Sequence, residues 1–137
     1  MMKKILLKYY PPAINIYTAW ILYMMFFAFE RGVEKIYEIH TLPFEAIAHV
    51  LATPTSRWEI IENIIANVVL FVPYGFLGIL YAKLNQYKFL LLAFFIGINY
   101  IEFSQYYFNR GFAELDDVIM NVFGMSMGFL IYKKIFR

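Results

Sequence analysis

Glu102 is a carboxylate set inside an apolar stretch, FFIGINYIEFSQYYF, with Gln105 one turn beyond it at i, i+3. Polar side chains recur at helical spacing in two other apolar stretches: Asn63 and Asn67 at i, i+4 with Glu62 beside them, and Asp117 and Asn121 at i, i+4 after Asp116. Arg110 is the only basic residue between the last two apolar stretches, and its planar guanidinium can fork onto Glu102, Asp116 or Asp117. Three kinds of work suit this set. Glu102, the one candidate catalytic residue, can serve as a general base with Arg110 stabilising phosphate charge, as an intramembrane enzyme modifying a lipid or lipid-linked sugar requires. The same groups can border an outward-facing polar pocket that receives an amphiphile. They can also simply hold helices together through hydrogen bonds worth about 1 kcal/mol each. The inventory weighs against chemistry: the chain has no cysteine, and no histidine, or serine beside a base, inside its apolar stretches, so a nucleophile would have to be water or the substrate.

The elements that carry these residues belong in a bilayer. With 62% hydrophobic, 21% aromatic and 16% charged residues, 137 residues hold more apolar surface than a soluble domain of this size can bury. The expected fold is all-α, a single membrane domain over residues 1–137 built as a four-transmembrane-helix bundle, with spans at about 11–29, 60–82, 89–108 and 118–135. Lys3, Lys4 and Lys8 precede the first span as in a signal peptide, but the apolar stretch is too long and only Glu30-Arg31-Gly32 follows it, so it reads as an uncleaved anchor. Lys3, Lys4, Lys8, Lys83, Lys88, Lys133, Lys134 and Arg137 then fall on one face with no acid among them, while Arg31, Lys35, Arg57 and Arg110 share the other with every Asp and Glu. By the retention of positive charge inside, both termini are cytoplasmic. Measured along each helix, Asn67, Glu102 and Asn121 form one layer roughly 6–12 Å below the outer boundary. Nothing polar continues from them toward the cytoplasm, which disfavours ion or proton conduction.

Between the first two spans, Arg31 to Ile39 reads as an amphipathic helix on the outer surface, broken at Leu42-Pro43-Phe44 and followed by a second short amphipathic turn from Phe44 to Leu51. His40 and His49 are nine residues apart across Pro43, with no carboxylate at ligand spacing to both, so no metal is expected. No other cofactor is implied. Tyr9, Tyr10, Trp58, Tyr81, Tyr87, Tyr107 and Tyr132 sit where interfacial anchors belong, and Trp20 is placed for packing or lipid contact. Pro73 should free the Val69 carbonyl and kink the second span, with Gly75 and Gly78 permitting close approach. Gly124-x-x-x-Gly128 suits helix packing within the chain, the alternative being a homodimer seam or contact with a larger membrane assembly.

In this order the pieces resemble the VanZ-like membrane proteins: Leu42-Pro43-Phe44, then Asn67-x5-Pro73-x-Gly75, then Ile101-Glu102-x2-Gln105-x4-Arg110, then Asp117-x3-Asn121-x2-Gly124-x3-Gly128, over about residues 40–132. One departure stands out. Family members commonly carry an acid directly after the arginine and aromatic, whereas Arg110-Gly111-Phe112 is followed by Ala113 and only then Glu114, which leaves the arginine's partner open. The resemblance implies a multi-pass protein of the bacterial cytoplasmic membrane, associated in the founding member with lowered susceptibility to teicoplanin, a glycopeptide with an acyl tail. The expected partners are membrane lipids and a lipoglycopeptide or lipid-linked wall precursor, with no nucleic acid.

Overall fold

The computed structural model describes residues 1–28, 39–52 and 57–136, with the backbone alone at residues 40, 46, 49, 50, 57 and 59–63. It is mostly helical. Helix α1 runs Met2–Phe27, α2 Glu45–Ala52, α3 Arg57–Phe71, α4 Tyr87–Tyr107 and α5 Leu115–Ile135. The amphipathic helix expected over Arg31 to Ile39 lies outside the described residues except for Ile39. Ile39 and His40 instead form a two-residue strand, β1, paired in parallel with β2, Ala113–Glu114, an addition to the all-helical expectation.

Helices α4 and α5 begin and end within three residues of the expected spans. Each has 21 residues and a mean hydropathy of 1.3, long and apolar enough to cross a membrane; at 1.5 Å per residue each is about 32 Å long. Two boundaries differ from expectation. Helix α1 starts at Met2 rather than Pro11, with Pro11 and Pro12 inside it. The preceding Met-Lys-Lys-Ile-Leu-Leu-Lys run consists of good helix formers, so the helix extends upstream of the prolines. The second stretch is not one kinked α-helix: α3 ends at Phe71, and Val72–Ile79 winds as a 3-10 helix, with another short one at Ala82–Asn85 before α4.

The cause is Pro73, and the repair comes from α1. In 3-10 winding the Leu70 carbonyl would bond to the N–H of residue 73, which proline lacks. The Tyr17 hydroxyl donates to the Leu70 oxygen at 2.9 Å instead, and the Tyr10 hydroxyl donates to the Pro73 oxygen at 2.8 Å. In an apolar surround these substitutions matter, because no water replaces a missing donor. Tyr10 is thus buried rather than an interfacial anchor, and so is Tyr132, whose hydroxyl bonds to Asn85.

Helix α5 is the central element, burying residues from Asp116 to Tyr132 on several sides. It lies backbone to backbone on α3 and the 3-10 segment. A Cβ at Gly124 would strike the Val68 carbonyl, one at Gly128 the Val72 carbonyl, and one at Gly75 the backbone of Gly128 and Phe129. The Gly124/Gly128 stripe is therefore filled by the chain's own second apolar stretch. Ile21, Phe71, Ile98 and Val118 meet in one apolar cluster, and Leu90, Met125, Phe129 and Tyr132 in another. The outer surface is apolar as well: Ile16, Trp20 and Tyr23 on α1, Ile96, Tyr100 and Phe103 on α4, and Phe123 and Leu130 on α5 are all exposed. Such a continuous apolar exterior marks a surface that water does not cover.

Candidate functional site

The long-range contacts sort into two ends. At one, Lys3 lies over the Phe136 ring and Tyr132 bonds to Asn85, which gathers the chain's N-terminus, its C-terminal turn and the α4 approach. At the other, Arg110 lies over the Phe27 ring and Gln105 donates from Nε2 to the Met25 carbonyl at 2.7 Å. The polar residues singled out in the sequence collect at this second end. The side chains of His40, His49, Glu62 and Asn63 lie outside the described set. Among the described residues no group of His, Asp and Glu gathers as metal ligands would.

Asp116 and Asp117, adjacent in the first turn of α5, point to different neighbours, about 100° apart around the helix. Asp117 accepts a bond from the Asn67 amide nitrogen at 2.8 Å, tying α5 to α3. Asp116, 2% exposed, accepts the backbone N–H groups of Phe44 at 2.5 Å and Ile47 at 3.2 Å. A carboxylate at the start of α5 thus caps the start of α2, satisfying two of the donors a helix N-terminus leaves open. Leu42-Pro43-Phe44 supplies the geometry: Phe44 holds a left-handed backbone, φ 64°, at the capping position. The β1–β2 pairing fixes the chain just before it, so this connection is pinned at two points onto the loop preceding α5.

The remaining members sit deeper. Asn121 is 1% exposed, one turn along α5 from Asp117, and its amide oxygen meets no donor among the described residues. Such an unmet acceptor is uncommon and calls for a donor from outside the described side chains. Glu102 is 4% exposed and Gln105 3%, both on the inner face of α4. Glu102, Arg110 and Asp117 are all partnered. Arg110 lies beside α1, where its guanidinium carbon sits 5.4 Å from the Phe27 ring centroid, and its backbone N–H donates to the Gln105 carbonyl at 2.7 Å.

Below this layer lies a cavity of about 200 Å³ between α1, the 3-10 segment and α4, lined by Ile21, Phe71, Tyr74, Phe94, Gly97 and Ile98 among others. The lining is almost wholly carbon. Its two hydroxyls satisfy each other, Tyr74 donating to Thr18 Oγ1 at 3.1 Å while Thr18 donates to the Ile14 carbonyl at 2.8 Å. The cavity and the polar layer meet end to end. Leu22 and Ile101 line the cavity's upper end, so Glu102 follows the lining directly along α4, and Gln105, which bonds to Met25, stands one turn, about 6 Å, beyond Ile101.

Two features of the site escaped the sequence. Asp116 serves as a long-range cap, which neighbouring Asp117 made ambiguous. Tyr17, one of twelve tyrosines, carries no local mark of its role; the signal that could have found it is Pro73, which demands a substitute donor from another helix.

The pattern of the VanZ/LLP1 family matches residues 14–137. No curated protein and no solved structure matches the chain significantly.

Proposed function

Because the chain belongs to the VanZ/LLP1 family, we propose that it is a multi-pass protein of the bacterial cytoplasmic membrane that engages an amphiphile from outside and contributes to teicoplanin-type resistance. Four passages with both termini cytoplasmic follow from the charge distribution: the lysine-bearing helix ends share one side and the acidic residues the other. A reporter fused to the C-terminus should be active only in the cytoplasm; activity only outside would overturn the orientation.

The observation that carries the ligand reading is the placement of the buried Glu102 and Gln105 on α4 just beyond an apolar cavity that reaches Ile101, with the Asn67–Asp117 pair and buried Asn121 at the same end of the bundle. That order, polar outside and apolar within, suits a lipoglycopeptide or a lipid-linked wall precursor. Expression of the native form should lower teicoplanin susceptibility, and the purified protein should bind the lipoglycopeptide or a lipid-linked precursor. Unchanged susceptibility together with no binding of either would end this reading.

The placement of Glu102 favours one rival. A buried carboxyl next to cavity-lining Ile101 would stand near the junction between a ligand's head and its chain, where an intramembrane enzyme would place its base. Lipid and precursor profiles of cells expressing the native form or Glu102→Gln separate the two: a new product that disappears in the variant favours chemistry. The assembly-partner alternative loses its proposed contact, since Gly124 and Gly128 are covered by α3 and the 3-10 segment.

A further inference from the structure

Four of the glycines in the apolar helices sort into two kinds. At Gly75, Gly124 and Gly128 a Cβ would run into the backbone of a neighbouring segment, so the missing side chain lets two segments touch. At Gly97 a Cβ would meet nothing within 4 Å. Gly97 is exposed, as is Ala93 one turn before it, and both line the cavity between α1 and α4. The two small residues therefore leave the cavity open sideways, toward the surface where Ile96 and Tyr100 are also exposed. Across from this mouth, α1 supplies Leu22, itself 36% exposed.

We propose that this cleft seats one unbranched hydrocarbon chain of an anionic bilayer phospholipid, which enters laterally past Ala93 and Gly97. The lining decides the chemistry of the occupant: its hydroxyls are already paired and its walls are carbon, so a polar or charged group entering it would lose hydration without return. The volume decides how much enters. Pockets for whole drug-sized ligands run to roughly 300–1,000 Å³, and about 200 Å³ admits part of one chain rather than an entire amphiphile. The charge at the upper end decides the head. Arg110, over the Phe27 ring and already partnered within the chain, places a positive charge beyond the end of the cleft on the α1 side, which favours an anionic head over a neutral one. This assignment gives the amphiphile site a seat for its chain, and rests on that reading only for which end the headgroup occupies.

The test uses the full-length protein in phosphatidylglycerol vesicles with a trace of phosphatidylglycerol bearing a photoactivatable group in mid-chain. After irradiation, adducts are mapped by mass spectrometry, with Leu130 on the exposed face of α5 reporting ordinary annular lipid. The expected result is several-fold more adduct at Leu22, Ala93 and Gly97 than at Leu130, falling to the Leu130 level in Gly97→Leu and in Ala93→Leu, whose side chains fill the mouth. Adducts spread evenly between the two faces, or a cleft signal that neither variant lowers, would overturn the proposal. Should Gly97→Leu fold poorly, Ala93→Leu and the native distribution still decide. Cleft adducts that behave as expected while teicoplanin susceptibility and lipoglycopeptide binding stay flat would uphold the chain site and sink the proposed function. An even distribution alongside intact lipoglycopeptide binding would do the reverse.

Discussion

Helix α5 touches its neighbours backbone to backbone, whereas α1 and α4 stand apart with a cavity between them, and both seams are built around glycine. Along α5 the glycines act by absence: Val68 and Val72 carbonyls occupy the space a side chain would take. Along α4, Gly97 leaves space that no protein atom fills. In a membrane-type interior, where burial in lipid already shields apolar side chains, close packing is what holds helices together. A seam that forgoes it needs other fastenings, and α1 has them in the Tyr10, Tyr17 and Tyr74–Thr18 hydroxyl bonds on one side and the Gln105–Met25 bond on the other. The closed seam is thus fastened by shape and the open one by hydrogen bonds at its edges.

Substitutions should separate the two seams in order of effect. Gly128→Leu forces a side chain into the Val72 backbone, and overpacking of that kind should cost about 3 kcal/mol or more, read as loss of the folded fraction in detergent unfolding. Leu at Gly97 should leave that fraction nearly unchanged; an equal loss at both positions would erase the distinction between the seams. Asp116→Ala comes next. It strips two backbone amides of their acceptor and should cost about 2–3 kcal/mol, with faster hydrogen exchange at Phe44 and Ile47 and little change near Gly97. Tyr17→Phe should cost about 1 kcal/mol by leaving the Leu70 carbonyl bare. The loss should shrink in a Pro73→Ala background, where the restored N–H can take the tyrosine's place; equal losses in both backgrounds would disprove the repair. The smallest effect is expected of Gly97→Ala, a gain below about 1 kcal/mol from helix propensity.

How far the sequence spoke follows from how local each signal is. Helices α4 and α5 were legible to within a few residues because a run of about twenty apolar residues between charged ends admits little else. The two-ended sorting of charge is read from signals of the same local kind, and the contacts of Lys3 with Phe136 and of Arg110 with Phe27 lie at opposite ends of the bundle. Pro73 was read as one missing bond and a kink, yet the backbone answers with eight residues of 3-10 helix, since the tyrosine donors that make this tolerable lie more than fifty residues away. Asp116 and Asp117 look alike in sequence. Only the rotation between them sends one to α2 and the other to Asn67. Gly75, Gly124 and Gly128 were read as close-approach positions, and backbone lies against each of them; Gly97 was mute, because whether a missing Cβ admits a helix or leaves a hole depends on what stands opposite.

The central claim is that the polar layer borders a hollow reached from the exterior and sized for part of an amphiphile's chain. The chain has no cysteine, so Ile101→Cys, at the cavity's upper edge beside Glu102, offers a single reactive thiol in otherwise native protein. In intact cells it should react with a membrane-impermeant maleimide added outside, and a lipoglycopeptide or lipid-linked precursor should protect it. No reaction until the membrane is dissolved, or reaction only from the cytoplasmic side, would contradict the account and leave the polar layer as helix adhesion alone.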